Sequence, residues 1–175
     1  KQLLPILEDD EHGPLLSGLE QAFNIEIVTK EFFIKYRELF LEVKEALDKY
    51  VESDLKIKQE FLQKAIDTGD FAKKLLGQIA FLYFLRKKGW FGVEREQEWG
   101  AGPKNFLRRL YEKKYCEYKN FFNEVLEPLF YNALAVDRPY DWSDRFNCKI
   151  PFLNGGLFDP LRNYDWVYTD IELPN

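Results

Sequence analysis

From residue 29 onward, apolar side chains return at steps of three and four: Phe32, Phe33, Tyr36, Leu39, Phe40, Val43, Ala46, Leu47 and Tyr50. That spacing places them on one face of an α-helix, with Thr29 as the expected N-cap. Glu31 with Lys35, and Glu45 with Lys49, stand four apart with the acid first and support the wet face. A weaker pattern through Leu55, Ile57, Phe61, Leu62, Ala65 and Ile66 predicts a second helix, closed by the capping and turn run Asp67-Thr68-Gly69-Asp70. A third helix follows at once through Phe71, Leu75, Leu76, Ile79, Leu82 and Leu85. There Phe81, Tyr83 and Phe84 fill the other faces, so this helix is expected in the core. Arg86, Lys87 and Lys88 then meet the negative end of its dipole, and Gly89 offers a left-handed C-cap.

Residues 89–103 hold five glycines and prolines with Trp90 and Trp99, which reads as a loop pinned to the body by its indoles. Pro103 suits a first helical turn, and Phe106, Leu107, Leu110 and Tyr111 continue a short helix. Phe121, Phe122, Val125, Leu126, Leu129, Phe130 and Ala133 make another, in which Pro128 must kink the helix or start a new one. Beyond residue 137 four prolines, two adjacent glycines and no sustained period predict an extended tail with short turns. The first 28 residues mix two prolines, two glycines and the acidic run Glu8-Asp9-Asp10-Glu11, and read as a linker with one helical turn over 15–23. The expectation is an all-α chain: linker over 1–28, helical bundle over 29–136, irregular extended tail over 137–175.

Composition narrows the class. With 16 Phe, 10 Tyr and 4 Trp in 175 residues the chain can bury a sizeable core, and a disordered chain is not expected. The longest apolar run, residues 79–85, has seven residues where a membrane span needs about 20. Cys116 and Cys148 are too few for a secreted disulfide framework and no signal-peptide pattern opens the chain, so a cytoplasmic location is expected. One histidine, His12, and two distant cysteines make no zinc set. Methionine is absent even at position 1, which reads as a segment of a longer protein.

Candidate chemistry is sparse. Gly100-Ala101-Gly102 lacks the buried strand that precedes a nucleotide-binding loop, so it reads as a plain turn. The acids at 8–11 and 94–98 read as solvated surface rather than a general acid and base, and His12 has no Ser or Cys in a nucleophile elbow. No catalytic residue emerges. Two basic clusters interleave with aromatics: Arg86, Lys87 and Lys88 beside Trp90, and Arg108, Arg109, Lys113 and Lys114 beside Tyr111 and Tyr115. Such clusters can hold phosphates and stack on bases, while net charge −5 favours ordinary helix-end charge and a wet face. The most distinctive run is residues 145–160, where Asn154-Gly155 is a favoured turn dipeptide between apolar anchors and Pro151 and Pro160 fix the flanks.

Within that run, Ile150, Pro151, Phe152, Leu153, Asn154, Gly155, Gly156, Leu157 and Phe158 resemble the segment ahead of the methyltransferase domain in single-chain type II restriction-modification enzymes and related phage-exclusion methylases. Three other stretches agree in order. Residues 71–78 leading into 81–90 look like that family's central helix, residues 121–131 like its next one, and residues 28–33 with Tyr36 and Phe40 like its entry helix. The likeness covers nearly the whole chain beyond Leu19. It implies a parent protein that methylates adenine N6 in DNA with S-adenosylmethionine, often with a nuclease fused on the N-terminal side. The family's methyl-donor loop, its Asn-Pro-Pro-Tyr motif and a nuclease set of Pro-Asp with Glu-x-Lys are all missing from these residues. No catalytic, cofactor-binding or metal residue therefore carries over. By this resemblance the chain is a helical connector, with residues 150–158 leading toward a methyltransferase domain and DNA met through the parent.

Overall fold

Helix α1 (Ile25–Ser53) opens the described part of the chain, which in this computed structural model comprises residues 25–153 and 155–174. The expected linker over 1–28 lies outside the described residues up to 24, as do His12, the acidic run 8–11 and the helical turn over 15–23. Residues 25–28 are already helical, so Thr29 sits inside α1 rather than capping it. The chain divides into two compact units, residues 1–41 and 42–175. In the first, Phe32 stacks on Tyr36 one turn later with centroids 5.8 Å apart, and Phe32, Phe33 and Leu39 are exposed among the described residues. Among the described residues of the predicted apolar stripe, Leu47 in the second unit is the buried one, and Val51, outside the stripe, is buried beside it in sequence.

The second unit is mostly helical. Asp54 starts α2 (Leu55–Gln63) by accepting from the amides of Lys56 at 2.8 Å and Ile57 at 3.2 Å. Asp67 starts α3 (Thr68–Lys88) by accepting from the Asp70 amide at 3.0 Å. Gly89 ends α3 in the left-handed region at φ 73°, where its carbonyl accepts from the amides of Gly100 at 3.1 Å and Gly102 at 3.0 Å. The helix is not buried all round: Leu75, Leu76, Leu82 and Leu85 are core, but Tyr83 and Phe84 face outward and are about half exposed.

The loop after α3 is held differently from the sequence reading. Trp90 and Trp99 are exposed, while Phe91 and Val93 are fully buried and Phe91 stacks on Phe106 at 5.2 Å. Pro103 lies in a turn ahead of α4 (Phe106–Tyr111) rather than in its first helical turn. Further on, a new helical segment begins at Pro128, one of the two outcomes expected of a proline there. Two wide π-helical segments, Phe122–Leu126 and Pro128–Leu134, flank Glu127, whose own backbone stays helical. Pro128 has no N–H to give to the preceding turn, and the Arg145 guanidinium donates to the Glu124 carbonyl in that turn.

Strands β1 (Trp142–Ser143) and β2 (Cys148–Lys149) pair antiparallel, Trp142 opposite Lys149 and Ser143 opposite Cys148. The Lys149 amide donates to the Val93 carbonyl at 2.8 Å, tying this hairpin to the loop after α3. Residues from 137 onward are irregular, as expected, yet they are not a loose extended tail. Phe146, Ile150, Phe158, Tyr164 and Ile171 are fully buried. Tyr164 packs on Phe71 at 5.5 Å, and Phe71 in turn meets Phe61 at 5.7 Å and Phe122 at 6.1 Å.

Candidate nucleic-acid interface

The two basic clusters are separated by the loop over residues 89–105 and the start of α4, and the packing of α4 on α3 brings one arginine of each to a single cleft. The cleft holds about 420 Å³ between α3, α4 and the first π-helical segment. Its apolar lining is Ile79, Leu82, Leu107 and Leu126, and Tyr83, Tyr111 and Phe121 are its aromatic walls. The Arg86 guanidinium lies 4.6 Å above the Tyr83 ring, a cation–π contact that flattens it onto the wall. Its Nε is buried without a hydrogen-bond partner. Arg108 enters from α4 with its Nε donating to Glu112 at 2.8 Å, which leaves both Nη groups outside that bond.

The remaining predicted contact residues stand outside the cleft. Lys87, Lys88, Lys113 and Lys114 are exposed. Lys88 sits over the Phe84 ring at 5.8 Å, Lys113 over Tyr118 at 4.9 Å and Arg109 over Tyr115 at 5.2 Å. Lys114 pairs with Glu112 at 2.8 Å. Much of this basic charge is thus spread over aromatic faces, with Glu112 answering two cations at once. Those two bonds hold the Glu112 carboxyl below its ordinary value, the bond from Lys114 most of all.

The run 150–158 docks on α3. Ile150 and Pro151 are buried at one end and Phe158 at the other, where Phe158 meets Phe81 at 5.9 Å and Phe130 at 5.7 Å. Lys74 Nζ donates to the Gly156 carbonyl at 3.0 Å and Gln78 Nε2 to the Leu157 carbonyl at 2.9 Å. Phe152 and Leu153 are half-buried, and Gly155, Gly156 and Leu157 face solvent; Asn154 lies outside the described residues. The sequence also points to Phe158, Trp166 and Tyr168 as exposed aromatics awaiting a partner. Phe158 is in the core, Trp166 is half-buried against Tyr131 at 5.6 Å, and only Tyr168 is well exposed.

A buried polar group behind this motif escaped the sequence reading. Tyr164 donates to Glu127 Oε1 and stands 3.1 Å from the Tyr131 hydroxyl, while Glu127 Oε2 has no partner. Burial raises the Glu127 carboxyl to about 9, so at neutral pH it is a protonated acid. The available signal was one acid inside the otherwise apolar stretch 125–131. Arg138 was missed as well: it donates to the carbonyls of Ala133, Asp141 at 3.1 Å and Ile150 at 2.8 Å, clamping the entry to the motif.

Other candidates resolve into structure. The amides of Gly100 and Gly102 serve the end of α3, and residues 94–98 are exposed. Cys148 is buried, with its thiol pushed up to about 12 by desolvation, and both cysteines are free thiols. Among the described residues no group of three or more His, Cys, Asp or Glu is placed to hold a metal ion, and no helix is long and apolar enough to cross a membrane. No family model, curated protein or solved structure matches the chain.

Proposed function

We propose that this chain is the helical connector of a DNA adenine N6-methyltransferase of the single-chain restriction-modification kind, without catalysis of its own. The carrying observation is the docked run 150–158, whose ends are anchored in the helical body while its glycine turn faces outward. A joint between domains needs that combination, because a buried anchor transmits orientation and an exposed turn can meet the next domain. The helices act in this reading as a bundle-like spacer holding the methyltransferase and any nuclease at a set distance along DNA. S-adenosylmethionine belongs to the adjoining domain, and no residue here is given to it. Reading the coding DNA in frame beyond Asn175 tests the proposal: a glycine-rich donor loop followed by Asn-Pro-Pro-Tyr is expected, and a frame that stops within a few codons overturns it.

A second reading, a helical module that touches the DNA backbone, is favoured by the meeting of Arg86 and Arg108 at one cleft with Lys87, Lys88, Lys113 and Lys114 exposed nearby in sequence. Duplex affinity that falls with salt, with a shallower slope after charge reversal at Arg108 and Arg109, is its expected signature. Unchanged binding in that titration removes it.

A further inference from the structure

We infer that the cleft between α3 and α4 is a site for one unpaired nucleotide, its base against Tyr83 and Tyr111 and its phosphate held by Arg86 and Arg108. This deepens the DNA-contacting reading and rests on it only for where the nucleotide comes from. A phosphate alone accounts for half of the cleft. Exposed lysines suffice for a duplex backbone, and Ile79, Leu82, Leu107 and Leu126 offer nothing to a phosphate. A flat, largely apolar ring system is the complement of those side chains, and a paired base keeps its faces inside the duplex stack. The volume of about 420 Å³ falls in the range of small-molecule sites.

Charge decides the other end of the ligand. Arg86 lines the cleft with its Nε enclosed by the protein, so an anion there meets the outer nitrogens of its guanidinium. The Nη groups of Arg108 lie outside its bond to Glu112. Two guanidiniums beside an apolar floor call for an anion joined to an aromatic body, and Arg86 lying on the Tyr83 ring extends a planar platform that suits a base better than a branched peptide side chain. A nucleoside monophosphate unit has this chemistry, whether it is part of a single strand or free in solution.

The test is fluorescence anisotropy of the full 175-residue chain with a short fluorescein-labelled oligothymidylate, the same strand in a duplex, and the same strand with abasic sites. The expected result is single-strand binding about tenfold or more tighter than to the duplex or the abasic strand, with Tyr83→Ala and Arg108→Ala each weakening it about tenfold. Both side chains are exposed, Tyr83 at 51% and Arg108 at 78%, so the variants keep the fold, which circular dichroism verifies. Competition by thymidine monophosphate at matched concentration assigns the site to free nucleotide; no competition assigns it to the strand. Equal binding of the abasic strand, or unchanged affinity in both variants, overturns the inference. Lys87→Ala with Lys113→Ala separates it from the parent reading: if this double change leaves duplex binding as it was while single-strand binding still depends on Tyr83, backbone contact through the lysines fails and the cleft stands.

Discussion

The Tyr164 hydroxyl donates to Glu127 Oε1 across 37 residues of chain, and both side chains are in the core. Tyr164 belongs to the irregular C-terminal stretch and Glu127 to the junction of the two π-helical segments, so this bond joins the part of the fold without periodicity to the part that has it. A neutral Glu127 can reverse the bond, donating its own proton to the Tyr164 oxygen while Tyr164 donates onward to Tyr131 at 3.1 Å. Gln78, adjacent to Tyr131, carries the polar path to the Leu157 carbonyl in the docked motif.

Stability should therefore decline with rising pH across a defined window. Burial lifts the Glu127 carboxyl from 4.5 to about 9, so the folded protein keeps a proton that the unfolded chain has already released. The stability linked to that proton is complete below 4.5 and is lost progressively as pH climbs toward 9. Urea midpoints measured between about pH 5 and pH 9 are expected to fall, and Glu127→Gln is expected to remove that slope. Carboxylates held low by their partners, such as Asp48 with Lys44 and Thr68, act in the opposite sense and at more acidic pH.

Removing the hydroxyl alone isolates the polar contribution. Tyr164→Phe keeps the ring against Phe71 and Tyr131 but strands Glu127 Oε1 beside an Oε2 that already lacks a partner. A loss of about 1–3 kcal/mol in urea unfolding is expected, the usual cost of leaving a buried polar group unsatisfied. Hydrogen exchange should rise most in residues 159–174. An unchanged midpoint would show that Glu127 needs no donor.

What the sequence revealed and what it concealed follow from the same physics. Helix α3 was legible because Asp67 and Gly89 are local signals, each acting within a few residues of itself. The end of the chain was misread because Phe146, Ile150, Phe158, Tyr164 and Ile171 insert singly, at spacings set by where pockets open on the helices rather than by any backbone period. The indoles of Trp90 and Trp99 drew notice by size, yet the smaller Phe91 and Val93 hold the loop, since hydrogen bonding at Gly89 and Lys149 decides which side chains turn inward. Arg86 and Arg108 were recognised as basic residues, whereas their meeting at one cleft depends on how α4 packs against α3, which no local pattern encodes.

The Gly89 turn predicts a sharp intolerance to side chains. At φ 73° any L-residue is strained, and a Cβ there would stand 2.3 Å from the Gly100 carbonyl oxygen. The same backbone approach excludes a Cβ at Gly102, which would lie 2.0 Å from the Phe91 oxygen. Gly89→Ala is expected to cost more than about 1 kcal/mol, because strain and steric overlap add to the loss of the loop closure. Gly77→Ala, where a Cβ meets nothing within 4 Å on a helix, is expected to be stabilising by about 0.5–1 kcal/mol. Thermal midpoints of the two variants should move in opposite directions.

The docked motif makes a prediction that separates anchoring from presentation. Phe158 is buried between Phe81 and Phe130, so Phe158→Ala empties an aromatic site and is expected to cost about 3–5 kcal/mol. Leu157, its neighbour, is 38% exposed and lends its carbonyl rather than its side chain to Gln78. Leu157→Ala is therefore expected to move stability by well under about 1 kcal/mol. If the exposed turn meets an adjoining domain, the same Leu157→Ala change should lower protection from hydrogen exchange at that junction in the longer protein while leaving α3 unaffected. Equal stability losses for Phe158→Ala and Leu157→Ala would mean that the two residues serve the core alike, and the turn would no longer be a free surface offered to a neighbour.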